Sequence, residues 1–220
     1  MAKSKRGGKR NNTSPTPPNP NKKGQHPGTN DELIEYLTKA STTAVNYDLA
    51  VQRTNPNYLN GREYQENCQR CVWAYELQRR GYDVEALPTF NGDDLPSQGN
   101  WRKLNKNYNN PENTVYVGQH YGQTNSVKTE ITNITDAMNN WGDGSRGIVR
   151  VVWKNSRSGH VFNIENQGGK IRAFDGQTGK EIKLREYLNK ARRGMTSLVR
   201  SDNADIDMNE VSKYVKLRGK

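Results

Sequence analysis

Residues 160–175 read His160-Val-Phe-Asn-Ile-Glu165, then Asn166-Gln-Gly-Gly169, then Lys170-Ile-Arg-Ala-Phe-Asp175. Two runs of alternating character around a glycine pair are the pattern of a β-hairpin. A two-residue turn at Gln167-Gly168 sets His160 opposite Asp175. A turn at Gly168-Gly169 sets it opposite Gln177, with Asp175 one diagonal step away. Side chains alternate faces along a strand, so both registers leave His160 and Asp175 on the same face. Opposed Cβ atoms lie ~4.5–5.5 Å apart and diagonal ones ~7–8 Å, so the carboxylate reaches the imidazole either way. The same face carries Phe162, Ile164, Ile171 and Ala173 and is expected to pack on a helix, with His160 and Asp175 where that buried face ends. An acid beside a histidine fixes its tautomer and stabilises its charged form. An ordinary cross-strand His–Asp pair at a sheet end would look the same.

Outward from the hairpin, Gly147 to Trp153 is a β-branched run suited to a central strand, and Thr196 to Arg200 gives another strand. Val127, Ile131, Ile134 and Met138 recur at helical spacing before a stop at Gly142. Glu66 to Arg80, rich in helix formers, with arginines in its last turn and closed by Gly81, predicts a helix of about four turns. Thr29-Asn30-Asp31 can cap a helix over Leu33, Ile34, Leu37 and Ala40. Met208 to Leu217 is expected to form a final helix with Val211, Tyr214 and Val215 on one side. Thr54 to Tyr58 and Asn60-Gly61 are turn-rich, and residues 88–113 read as a long loop anchored by Trp101 and Leu104. No internal repeat is visible. The order of elements predicts an α+β fold, an antiparallel sheet packed against helices.

The bulk composition separates this domain, residues 31–220, from a leader. Only 31% of the 220 residues are hydrophobic, and residues 1–30 account for much of the deficit. They hold Lys3, Lys5, Arg6, Lys9, Arg10, Lys22 and Lys23, no acid, and five of the nine prolines. Of the formal net charge of +11, +7 therefore falls in this basic tail, which is expected to be disordered, and +4 remains for the rest. The tail reads as a solvated leader or linker, with weak contact to nucleic acid or an anionic surface as the other reading. It has no apolar run, so it is not a signal peptide, and no stretch reaches the ~18 apolar residues of a transmembrane segment. The two cysteines, three apart, cannot staple a domain of this size.

Cys68 and Cys71 fall in the first turn of the helix over 66–80. A thiol there faces unsatisfied backbone N–H groups and the positive end of the helix dipole, which favour the nucleophilic thiolate. The same N–H groups can hold an oxyanion on an attacked carbonyl. Other readings are, in order, two buried structural thiols, a redox dithiol and a zinc site. The redox motif would follow a hydrophobic strand, whereas polar Gly61 to Glu66 precedes it here. Zinc needs four ligands, and neither His26 nor His120 stands at a usable spacing. Cys71 aligns with Ala74, Tyr75 and Gln78 toward the core, whereas Cys68 is nearer the free donors. Cys68 is the expected nucleophile and Cys71 the alternative. No metal or cofactor is called for.

Four segments carry a resemblance: Asn67-Cys-Gln-Arg-Cys71, Tyr75 to Val84, Gly159-His-Val-Phe162 and Phe174-Asp-Gly-Gln-Thr-Gly179. They resemble the papain-fold toxin family called Tox-PL, or glutamine-deamidase-type toxins, found in bacterial polymorphic toxins and phage head-morphogenesis proteins. Thr54-Asn-Pro-Asn-Tyr58 and Glu63-Tyr64 look like the phage-associated branch, and the likeness runs from about Asn55 to Arg200. It implies a papain-like cysteine hydrolase fold with Cys68 as nucleophile, His160 as general base and Asp175 as orienting acid. Asn67 and Gln177 match motif positions, read as oxyanion support and sheet-end polar support. Gly176 departs from the family's frequent proline.

The resemblance implies a deamidase acting on a target-protein glutamine, and an immunity protein as a candidate partner. A cysteine protease acting on a peptide would use the same triad. The reading from a different class is a non-catalytic capsid or nucleic-acid-associated protein held by its basic tail. The expected location is the bacterial cytoplasm or a phage particle, or a target cell after delivery.

Overall fold

The computed structural model describes residues 31–39, 43–90, 100–117 and 126–219. The basic tail, His26 and His120 lie outside the described residues. At the centre is a six-stranded sheet, antiparallel between every pair of neighbours. Its order is β2 (Thr114–Val115), β7 (Ser197–Arg200), β3 (Arg146–Val152), β4 (Gly159–Gln167), β5 (Lys170–Asp175) and β6 (Lys180–Ile182). The β-branched run is thus the interior strand β3, and residues 160–175 form the β4–β5 hairpin. Its turn is Gly168-Gly169, both at positive φ (60° and 83°), as a tight two-residue hairpin turn demands. Asn163 pairs with Phe174 and Gln167 with Lys170, so the register is the one that places Asp175 diagonally from His160.

Helices cover both faces. On one side α3 (Cys68–Arg79) packs with Ile148, Val161 and Val199, alongside α1 (Asp31–Thr38). On the other, α4 (Val127–Trp141) and α5 (Leu184–Lys190) pack on Val149, Val151, Phe162, Ile164 and Ala173. α4 begins as its sequence directs, with the Ser126 hydroxyl accepting from Thr129 N–H, and ends at Gly142 with φ 93°. α2 (Tyr47–Thr54) closes a smaller aromatic cluster of Tyr47, Tyr75 and Phe174.

α3 is the buried axis of the molecule. Every residue from Gln69 to Gln78 is buried, so no single face of it is the core face. Its buried carboxylate, Glu76, is paired, because an unpaired buried charge is costly. Glu76 accepts from Arg80, Arg146 and Ser201 at 2.8–3.0 Å. Burial alone would raise its pKa, but the two arginines lower it overall. Trp73 Nε1 donates to the Trp101 carbonyl at 2.8 Å, which pins the long loop by the residue expected to anchor it.

One expectation fails. Only Met208–Val211 is helical (α6); Val215–Leu217 is a strand, β8, paired antiparallel with β1 (Val84–Ala86). Val211, Tyr214 and Val215 are buried as their spacing implied. The hydrogen-bonding edge offered by β1, distant in sequence, wins over the local helical periodicity.

Candidate active site

The start of α3, the start of β4 and the end of β5 meet at one cleft of about 910 Å³. Asn67 precedes the helix, and its carbonyl accepts from Arg70 and Cys71 N–H, at 2.9 and 3.1 Å. Its side chain makes no capping bond. The N–H groups of Cys68 and Gln69 are consequently left without an acceptor among the described residues. Cys68 is partly exposed and lines the cleft, as do His160 and Gln177.

His160 is buried among Trp153, Phe162 and Tyr187, with ring centroids at 5.9, 6.4 and 6.0 Å. Trp153 stacks nearly parallel to it, at 20°. Its Nε2 lies 3.2 Å from Asp175 Oδ1, an ion-pair contact less well aligned than a linear hydrogen bond. Burial alone would lower the imidazole pKa. Hydrogen bonding to Asp175 and Cys68, with the negative charge of both, outweighs burial and pushes it up to about 10. Asp175 is held in turn by Gln177 N–H on Oδ1 (3.0 Å) and the Tyr187 hydroxyl on Oδ2 (2.9 Å). Burial would raise its pKa, but His160 and these two donors bring it below the ordinary carboxylate value. The imidazole thus lies against one fixed carboxylate and shares the cleft with the Cys68 thiol.

The second cysteine is placed differently. Cys71 is fully buried, and burial, with the charges of Cys68 and Asp175, drives its thiol pKa well up. It does not line the cleft. Its close neighbour is Gly176, where an added Cβ would come within 3.3 Å of Cys71 Cβ and 3.0 Å of Thr54 Cγ2. The glycine that departs from the resembling family's proline therefore allows the post-β5 loop to lie against α3.

Asn67 and Gln177 have different surroundings. The Asn67 amide donates to Asn55 Oδ1 (3.2 Å) and the Leu87 carbonyl (3.0 Å), and does not line the cleft. Gln177 instead has a buried Nε2 with no protein partner among the described residues, in a side chain that lines the cleft. Asn55 ties the two segments together: its Nδ2 reaches the Gln177 carbonyl at 2.8 Å and Asn67 Oδ1 at 3.4 Å. Asn55, Trp153 and Tyr187 join the site beyond the residues the sequence marks. Asn55 lies in the Thr54-Asn-Pro-Asn-Tyr58 segment, and Trp153 closes the β-branched run. Tyr187 has no local signal.

Among the described residues no three His, Cys, Asp or Glu side chains converge as metal ligands would, and no helix is long and apolar enough to cross a membrane. Neither a curated protein nor a solved structure matches the chain significantly. The sequence pattern of one family, described as papain fold toxin 1, glutamine deamidase, matches residues 66–180, which hold Cys68, His160, Asp175 and Gln177. That span exceeds half of the chain, and on it this protein belongs to the papain-fold toxin family of glutamine-deamidase type.

Proposed function

We propose that this protein is a thiol-dependent amide hydrolase that deamidates glutamine side chains of a target protein. The reading is carried by one observation: His160, 3.2 Å from Asp175, lines the same open cleft as Cys68, at a helix start whose first N–H groups have no acceptor among the described residues. The family description favours deamidation over peptide cleavage.

In this mechanism Cys68 Sγ, as the thiolate facing imidazolium His160, attacks the carboxamide carbon. With Nε2 facing Asp175, Nδ1 of His160 is the nitrogen that serves the reaction. The tetrahedral oxyanion is held by the Cys68 N–H and by Gln177 Nε2, a buried donor that otherwise lacks a partner. His160 then gives its proton to the departing nitrogen, which leaves as ammonia. The same imidazole next takes a proton from water, which hydrolyses the thioester and releases a glutamate side chain. Asp175 stays ionised, orienting the ring and stabilising its charge. Asn67 acts through Cys71 and Asn55 as a support of the helix start.

The upstream Thr54 to Tyr58 segment supports placing the chain in the phage-associated branch, acting in the bacterium or as a delivered effector with an immunity protein as counterpart. The test is direct: incubate the full chain with glutamine-containing proteins and follow ammonia release together with intact and peptide masses. Ammonia release with intact backbones, lost in Cys68→Ala, is the expected result. New peptide termini without ammonia would make it a protease, and neither product would leave a binding protein.

A further inference from the structure

The cleft carries a charge pattern that catalysis does not use, and its meaning rests on the amide-hydrolase reading above. Arg102, Arg150 and Arg157 line it, from three separate segments: a single 3-10 turn (Asn100–Arg102), β3, and the turn between β3 and β4. None of the three has a carboxylate partner among the described residues. Among the described residues the acid in the lining is Glu66, which has Arg62 at 2.6 Å. Arg102 Nη2 donates to Ser197 Oγ at 2.8 Å, while its Nε is buried and unpaired. Ser197 is the register partner of Arg150 across β7 and β3, which brings both arginines to one patch. Burial and the Arg150 charge together hold Arg102 below its usual pKa, the mark of neighbouring cations without a counter-ion.

A planar guanidinium matches a carboxylate with two parallel hydrogen bonds. A cleft lined by one sign of charge also focuses its field on an incoming ligand. The aromatic lining does not offer base stacking: Trp101 is 1% exposed, and Trp153 is already stacked on His160. We propose that the cleft selects a glutamine flanked by Asp or Glu, so that the substrate is an acidic segment of polypeptide whose carboxylates pair with Arg102, Arg150 and Arg157.

The experiment uses the full chain and three peptides with one central glutamine, flanked by Glu, Ser or Lys. The Glu-flanked peptide should be deamidated with kcat/KM roughly tenfold above the Ser-flanked one, the Lys-flanked one lowest, and the ratio should shrink with salt. Arg150→Glu and Arg157→Glu, checked by melting to be folded, should each shift the preference toward the Lys-flanked peptide. Binding of the same peptides, fluorescein-labelled, to Cys68→Ala is read by polarisation. If no peptide is turned over but the Glu-flanked one binds tightest, the hydrolase reading falls and the selectivity stands. Equal binding of all three would overturn the selectivity. So would a single-stranded DNA oligonucleotide that displaces the Glu-flanked peptide more effectively than its unlabelled form does.

Discussion

The Sγ of Cys71 lies 3.2 Å from Asn67 Oδ1 and donates to it. The bond uses the second thiol inside the protein, behind a helix start whose first thiol lines the cleft. Burial raises the Cys71 pKa well above its ordinary value, so the sulfur stays protonated as well as inaccessible. Brief iodoacetamide treatment at limiting dose should label Cys68 ahead of Cys71, as read by peptide mapping, and Cys68→Ser should abolish labelling and turnover together. Preferential labelling of Cys71 would move the nucleophile to that position.

Removing the Cys71–Asn67 bond should affect stability more than chemistry. Cys71→Ala empties a small buried volume and deletes one donor, while Asn67 Oδ1 keeps Asn55 Nδ2 at 3.4 Å. A loss of about 1–2 kcal/mol is expected, in the range for one buried hydrogen bond with a small cavity. Turnover should persist. Denaturant unfolding beside an ammonia-release assay separates the two quantities.

Asp175→Asn should leave the fold intact and lower kcat by roughly 10²–10⁴-fold, since the amide cannot stabilise the imidazolium or fix its tautomer as a carboxylate does. The asparagine Oδ1 can still accept from the Gln177 N–H, while its Nδ2 donates to the Tyr187 hydroxyl oxygen in place of the bond that Oδ2 accepted. A melting temperature that collapses with activity would instead mark Asp175 as a hairpin support. Tyr187→Phe removes one donor to the same carboxylate and should cost about tenfold or less.

The hairpin, the interior strand and the two long helices were legible because each is written locally, in alternation, helical spacing and glycine stops. His160 and Asp175 came with them, since strand parity fixes their common face in either register. What the sequence withheld depends on contacts between distant segments. β1 and β8 pair although far apart in sequence, between Val84↔Leu217 and Ala86↔Val215, and neither is long enough to read as a strand alone. Tyr187 reaches Asp175 from a helix whose periodicity reports only packing. The core side read for α3, with Cys71, Ala74, Tyr75 and Gln78, is buried, but so are Gln69, Arg70 and Glu76, whose polar character hides their burial until their long-range partners are known.

The His160–Asp175 pair gives stability a defined pH dependence. The imidazole pKa is about 10 in the folded protein against roughly 6.5 when unfolded, so between these values the folded state binds more protons. Its stabilising contribution is complete below about pH 6.5. It is lost progressively as pH rises through about 10. Melting temperatures of wild type and Asp175→Asn should therefore differ most near pH 6 and converge in alkali. A gap that widens above pH 9 would contradict the pairing.

Gln177 offers a test in which activity and stability move in opposite directions. Its backbone is committed, the N–H to Asp175 Oδ1 and the carbonyl to Asn55 Nδ2, and a substitution of the side chain keeps both bonds. Its side-chain Nε2 is buried and has no partner among the described residues, a state that costs about 1–3 kcal/mol for a polar group. If that donor waits for the oxyanion, Gln177→Met, close in shape but without an N–H, should lower kcat by roughly 10²–10³-fold with little change in KM. The same substitution should raise the melting temperature, because an unsatisfied buried donor is replaced by apolar volume. Gln177→Ala should lower kcat similarly without that gain. A melting temperature that falls in Gln177→Met while kcat holds would make the side chain a structural prop for Asp175, and oxyanion support would then rest on the backbone N–H groups at the start of α3 alone.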